Sequence, residues 1–365
     1  MNGGSGRRLI LGDLDFRSNS IGFLRFLFAA TVVWSHAFPL GGFGADPLYR
    51  LNFNAPTTGL LAVGGFFVLS GFLIARSYET VSSLGRFIWH RFLRIFPAFW
   101  VCLGVTAFGL APLAFAYQHG TLHHYFAEVP APLSYVTSNF LLAIYQQRIG
   151  TVFAHVPNPF DTNLSLWTLT PEFFCYLCVA TLGIVGVIRR APAAVGIIAL
   201  LLFAGYAALL WHYGNIYLIG WVALFVYFAF GAFAYLNRDR IPMRSWIAAL
   251  CFATLLATLT TRAFAYVIIP CLAYVTLFAA MRLPLRGFDR RVDVSYGLYI
   301  YAFPVQQLLA MYGVTKYGFT PYFVCALAIA LALAAVSWFT IEKPSLSLKH
   351  LDLFAARARS ERPAE

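Results

Sequence analysis

The chain has 365 residues, of which 60% are hydrophobic, 18% aromatic and only 11% charged. That composition excludes a soluble globular domain and marks an all-α polytopic integral membrane protein. The formal net charge of +12 would suit nucleic acid, but the placement of the basic residues gives it another cause, and no nucleic-acid partner is called for. The hydrophobic pattern predicts ten spans, at 19–40, 57–76, 92–117, 164–188, 191–213, 215–236, 245–261, 263–281, 294–313 and 320–341. With both termini in the cytoplasm, four basic residues fall outside (Arg50, Arg148, Arg262 and Lys316) and two within spans (Arg25 and Arg94). That leaves 26 − 4 − 2 = 20 of the 26 Lys and Arg on the cytoplasmic side. This imbalance is the positive-inside signal.

Residues 1–18 form a polar, basic cytoplasmic segment, and the first span reads as a retained signal anchor without a small-residue cleavage site. The first span carries two ionisable side chains, Arg25 and His36. Either costs at least a few kcal/mol inside a membrane by insertion scales, about 2.5–3.5 for Arg at a helix centre, so a mere anchor would use neither. They are eleven residues apart, about 16 Å along a helix axis and within about 20° of one face. A snorkelling Arg with an interfacial His is the structural alternative. The second span holds Gly64, Gly65, Ser70 and Gly71, small residues that let helices approach closely.

At the cytoplasmic entry of the third span, Arg91 and Arg94 share a helix face, and Pro97 follows within the span. Paired guanidinium groups there suit phosphates arriving from the cytosol; a positive-inside anchor is the plainer reading. Residues 133–145 are apolar but short for a crossing. Counting them as a span would send Arg189, Arg190, Arg282, Arg286, Arg290 and Arg291 outside. They are therefore expected to form a re-entrant or periplasmic element within 118–163. His119, His123, His124, His155 and Asp161 lie in that segment without a metal-ligand spacing, and no metal is expected.

The fourth span carries Glu172 about eight residues below its outer boundary. A carboxylate at that depth must be paired, protonated or in a water-filled cavity. Arg25, His36, Arg94 and Glu172 are the ionisable groups well inside the spans, which points to one site. The six cysteines all fall in spans and read as packing residues, Cys175 and Cys178 included. The ninth span is rich in Tyr and ends in Gln306 and Gln307. Beyond 344, residues 345–365 read as a polar cytoplasmic tail, frayed from about Lys349.

The blocks R-x10-H at Arg25 and His36, FFVLSGFLI at 66–74, RxxR at Arg91 and Arg94, SLWTLxxE at 165–172, SYGLYIY at 295–301 and IEKP at 341–344 occur in order. In that order the chain resembles the acyltransferase-3 family of bacterial inner-membrane acyltransferases, from Asn19 to Pro344. The resemblance implies a multi-pass inner-membrane enzyme that moves an acyl group, most often acetyl, from cytoplasmic acyl-CoA to a hydroxyl of a surface or exported glycan. It also implies a stand-alone form without the SGNH hydrolase-like domain fused to some members. One departure is Ala302, where many members carry a His; Tyr299, Tyr301, Gln306 or Gln307 would replace its hydrogen bonds. On this reading His36 is general base or acyl carrier, with Glu172 orienting and charge-stabilising its ring. Arg91 and Arg94, with Arg25 and Arg76, meet the acetyl-CoA phosphates. Trp167, Asn163, Tyr299, Tyr301 and Gln306 line the acceptor site. The partners expected are the lipid bilayer and a glycan or lipid-linked glycan. Two other classes compete. A transporter or glycan exporter would also place rare charges in a bundle, but paired interrupted helices in matching halves are missing. A structural scaffold leaves the cost of Arg25, His36 and Glu172 unexplained.

Overall fold

A computed structural model describes residues 9–52, 56–81, 83–159, 161–213, 220–288 and 292–351. Residues 1–8, Arg290, Arg291, most of the C-terminal tail (352–365) and the start of the span expected at 215 lie outside the described residues. Among the described residues the chain is helical, with one isolated β-bridge, Ile10 to Pro242. The helices are α1 (Ile21–Leu40), α2 (Thr58–Thr80), α3 (Leu84–His119), α4 (Pro132–Asn139), α5 (Leu164–Ile184), α6 (Pro192–Tyr213), α7 (Gly220–Leu236), α8 (Ser245–Thr258), α9 (Ala263–Arg282), α10 (Ser295–Met311) and α11 (Phe319–Ser347).

Seven of these are long and apolar enough to cross a membrane: α1, α2, α3, α5, α6, α9 and α11. The other three expected spans fold as helices of 17, 14 and 17 residues (α7, α8 and α10), short of the roughly 20 residues a hydrocarbon core asks for. The segment 133–145 is the eight-residue α4 followed by irregular chain. Eight residues rise about 12 Å, well under the hydrocarbon thickness. The third element is longer than its expected span: Leu84–His119 runs on through Pro97, with a π-helical turn at Thr106–Leu110. The last helix passes the expected boundary at Pro344, and a 3-10 turn over Leu348–His350 follows it.

The chain forms two compact units. The first contains Met1–Ser35, Ala45–Glu79 and Thr181–Asp293; the second contains His36–Gly44, Thr80–Ala180 and Val294–Glu365. In the first, α6 packs on α7, α8 on α9, and α7 on α9. Its N-terminal strand-like segment is pinned to the loop after α7: Leu11 N–H donates to the Ile241 carbonyl and Met243 N–H to the Leu9 carbonyl, both at 2.9 Å. In the second unit α10 and α11 form the main packed pair. The carboxylate of Asp46, buried in the first unit, caps the turn Pro47–Leu51 and accepts from the Ser35 and Thr58 hydroxyls at 2.7 and 2.5 Å.

The small-residue stripe of α2 does what its composition foretells. A Cβ on Gly71 would lie 2.0 Å from the Phe228 carbonyl oxygen of α7, and one on Gly231 would lie 2.1 Å from that of Val68. Gly64 faces the Tyr227 ring and Gly65 the Phe28 ring. Backbone meets backbone at Gly71 and Gly231, so no side chain can swing away to make room. Overpacking of this sort costs about 1–3 kcal/mol. Gly71→Ala and Gly231→Ala should each lower the melting temperature of the detergent-solubilised protein. Gly205→Ala, with nothing within 4 Å of the new methyl, should not. Scanning fluorimetry on the three variants checks the contrast.

Candidate active site

The second unit is built around α10. Every residue from Ser295 to Gln307 in it is buried, so its polar groups must find partners within the protein. Pro304 has no N–H to offer the carbonyl four residues earlier, that of Ile300. Two side chains supply donors instead: Asn163 Nδ2 at 2.8 Å and the Cys102 thiol at 3.3 Å. Tyr299 lies one turn below Phe303 and bonds the chain entering α5: its hydroxyl donates to the Ser165 carbonyl at 3.0 Å and meets Thr168 Oγ1 at 2.5 Å. Tyr296 donates to the Ile95 carbonyl of α3 at 2.9 Å. Gln307 Nε2 donates to the carbonyls of Asn158 and Asp161 at 2.8 and 2.7 Å. Tyr301 bonds Ser337, and the Gln306 carbonyl accepts from Tyr322 at 2.9 Å. Three of these polar side chains keep a buried atom without a hydrogen-bond partner among the described residues: Asn163 Oδ1, Ser165 Oγ and Gln307 Oε1.

His36 belongs to this unit. It lies one turn before the end of α1, and its ring meets Phe303 edge to face, centroids 5.5 Å apart. The neighbours that follow fix it. Ala37 is buried in a cluster with Ala310 and Tyr322, and Phe38 stacks on Phe319 at 4.4 Å. The imidazole is thus held against the same helix whose polar groups are tied to the chain entering α5.

The RxxR pair is in the same unit. Ser83 caps α3 by accepting from the Arg86 N–H. The Arg91 guanidinium stands 5.9 Å from the Tyr176 ring centroid and 6.0 Å from that of Phe87. Arg94 and Glu172 are among its charged neighbours. Its Nε is buried with no hydrogen-bond partner among the described residues. Glu172 accepts from the Tyr176 hydroxyl at 2.5 Å. Arg94, Glu172 and Glu342 all lie near Tyr296.

Of the residues singled out from sequence, His36, Arg91, Arg94, Asn163, Trp167, Glu172, Tyr299, Tyr301 and Gln306 share the second unit. Trp167 sits partly buried in the 3-10 turn Leu164–Thr168. Arg25 and Arg76 belong to the first unit and have partners there. Arg25 is ion-paired to Asp293 at 2.7 Å, and the Arg76 guanidinium lies 3.8 Å over the Phe16 ring. Sequence reasoning passed over Asp293, Tyr176 and Asp46. Two had a signal. Tyr176 is four residues after Glu172, the spacing of facing helix neighbours, and Asp46-Pro47 has the form of a helix start.

A family model described as an acyltransferase domain matches residues 18–339. Nodulation protein 10 of Rhizobium leguminosarum bv. viciae is 28% identical to the chain, the match covering 91% of this chain and 94% of that protein. An O-acetyl transferase of Shigella phage Sf6 is 27% identical, over 91% of this chain and 97% of its own length. No solved structure matches the chain. With a family match over residues 18–339 and relatives that cover about nine-tenths of its length, the chain belongs to the acyltransferase-3 family.

Proposed function

We propose that the protein is an O-acyltransferase of the bacterial inner membrane. It takes an acyl group, acetyl in the first instance, from cytoplasmic acyl-CoA and places it on a hydroxyl of a surface or exported glycan. The observation that carries this reading is a single packed unit with cations at the start of α3, a histidine from the end of α1 held against α10, and buried polar atoms with open hydrogen-bonding capacity nearby in sequence and packing. Arg91 and Arg94 hold the phosphates of the donor; the buried Arg91 Nε has a donor hydrogen to give. His36 takes the proton of the acceptor hydroxyl as its oxygen attacks the thioester carbonyl. When the tetrahedral intermediate collapses the C–S bond breaks, and His36 returns the proton to the departing sulfur. The products are an O-acyl ester and free CoA. Glu172, held by Tyr176, supplies the negative charge that supports the imidazolium. Asn163, Ser165 and Gln307, with Trp167 and Tyr301, provide the polar lining for a hydroxyl-rich acceptor.

The ten-span arrangement with both termini in the cytoplasm is supported by which loops touch within the first unit. The N-terminal segment bonds the loop after α7, and the Ser20 hydroxyl, at the start of α1, donates to the Leu283 carbonyl at the end of α9. Asn52, beyond the other end of α1, donates to the carbonyls of Leu259 and Thr261 after α8, at 2.9 and 2.8 Å. The short α8 therefore begins among segments assigned to the cytoplasm and ends at a loop assigned outside. Single cysteines introduced at Arg240 and at His123 should react with a membrane-impermeant thiol reagent from opposite sides. Labelling of both from one side would overturn this topology.

Binding and chemistry should separate. A charge-assisted hydrogen bond is worth about 1.5–3 kcal/mol, so Arg91→Ala or Arg94→Ala should weaken acetyl-CoA binding about 10- to 150-fold. His36→Ala should leave binding near normal and cut transfer by about 10²–10⁴. Glu172→Gln removes a negative charge beside Arg91, so it should not impair binding of an anion, yet it should lower transfer as His36→Ala does. Calorimetry of acetyl-CoA on purified variants, paired with an acceptor-acylation assay, reads both halves. Near-normal turnover by a folded His36→Ala protein would remove His36 from the catalytic role.

A further inference from the structure

The residues just past α11 are packed, and they bring a third cation to the arginine pair. Trp89 Nε1 of α3 donates to the Leu348 carbonyl at 3.2 Å. A His90 ring nitrogen lies 3.3 Å from the Lys349 carbonyl oxygen. These two contacts fasten the turn Leu348–His350 to the start of α3 and set the Lys349 side chain beside Arg94 and Arg91. Facing it from α3 are thus His90, Arg91 and Arg94. Behind it along α11 stand Lys343, over the Phe339 ring, and Glu342, which accepts from Ser337 at 3.3 Å.

Three cations in partly desolvated surroundings repel one another, and a low local dielectric magnifies the repulsion. Glu172 and Glu342 are the acids near this cluster, so three cations stand against two carboxylates and the surplus favours a bound anion. Arg91 adds a second observation, a buried Nε with no hydrogen-bond partner among the described residues.

We propose that Lys349 is a third phosphate-binding group of the acyl-donor site, so that the C-terminal turn, together with the RxxR helix, grips the phosphates of the CoA nucleotide. This rests on the reading of Arg91 and Arg94 as the donor site. Burial, with the Arg94 and Arg91 charges, holds the Lys349 ammonium down at about 8. It is charged below that pH and neutral above it, so its pull on phosphate is present near pH 7 and fades toward pH 9. The arginines do not titrate in this window, and a phosphate monoester, with its second pKa near 6, is already about nine-tenths ionised at pH 7 and gains little charge by pH 9.

The test is calorimetry of acetyl-CoA on the full chain in neutral detergent, at pH 7 and pH 9. Lys349→Ala should weaken binding about tenfold at pH 7, the lower end for a charge-assisted contact. Lys349→Arg should restore it. With a group near 8 and that tenfold effect, wild-type affinity should fall about fivefold from pH 7 to 9, whereas Lys349→Arg should stay flat. If Lys349→Ala does not fold, the contrast in pH slope between wild type and Lys349→Arg decides. Unchanged binding by folded Lys349→Ala, or a Lys349→Arg slope equal to wild type, overturns the proposal. A lipid phosphate is the rival ligand. If Lys349→Ala leaves acetyl-CoA affinity intact and abolishes only thermal stabilisation by phosphatidylglycerol, the residue is a lipid anchor and the proposal falls. Arg91→Ala separates the two levels. Should it weaken acetyl-CoA while Lys349→Ala does not, only the role of Lys349 fails. Should neither weaken it, the donor-site reading itself fails.

Discussion

Pro304 leaves the carbonyl of Ile300 without its helical donor, and within a membrane no water replaces it. The rest of the second unit is arranged around that vacancy. Asn163 fills it from the chain entering α5, and Cys102 from α3. A proline in the middle of a helix therefore draws three elements together at one height. Phe303, the residue before it, is the one that His36 meets edge to face. Tyr299 fastens the same α5 entry one turn farther along. Pro304 and His36 are thus tied through adjacent positions. Loosening the Asn163–Ile300 bond would disturb the surface on which the imidazole rests without touching the imidazole itself.

The two units treat their charges differently. In the first, each intramembrane or interfacial charge named above has a partner suited to it. Arg25 has Asp293, Glu79 accepts from Tyr235 at 2.8 Å, and the Asp46 carboxylate takes hydroxyl and backbone donors on both oxygens. Burying a charge is tolerable on such terms, and it fixes the geometry of helix ends. In the second unit Arg91, Arg94 and Lys349 crowd together around Tyr176 and Tyr296, with Glu172 and Glu342 as the nearby acids. A helical bundle that needed only stability would not keep a cationic surplus there. On the proposed reading, a polyanionic donor would complete this arrangement.

Much of this was legible in the sequence, for reasons that can be named. Helix positions follow from apolar runs. The close approach of α2 and α7 follows from Gly71, although its partner Gly231 has no such motif around it. Other features were hidden because they depend on contacts far apart in the chain. Arg25 looked like a donor-site residue because its partner, Asp293, is 268 positions away. Residues from 345 onward looked like a solvated tail because their polarity is high. What orders the first of them is a pair of backbone carbonyls accepting from Trp89 and approaching His90, and backbone acceptors leave no trace in composition. Asn163 looked like a ligand for substrate, yet one end of its amide is committed to Ile300.

Of the three helices that are short for a crossing, α8 and α10 differ sharply in composition. In α8 no residue is fully buried. Its 14 residues are apolar on all sides, and it is short rather than polar. In α10 the composition is too polar, with Tyr, Ser and Gln side chains along it, because its surroundings are protein. From Ser295 to Gln307 it is buried within the protein. Hydropathy measures how well a helix dissolves in hydrocarbon, so it underrates one dissolved in its neighbours. The polar groups that lower its score are the same ones that bond α3 and α5 and leave buried oxygens open on the facing chain. In this bundle the helix that looks least like a membrane span is the one against which the ring of His36, from α1, is held.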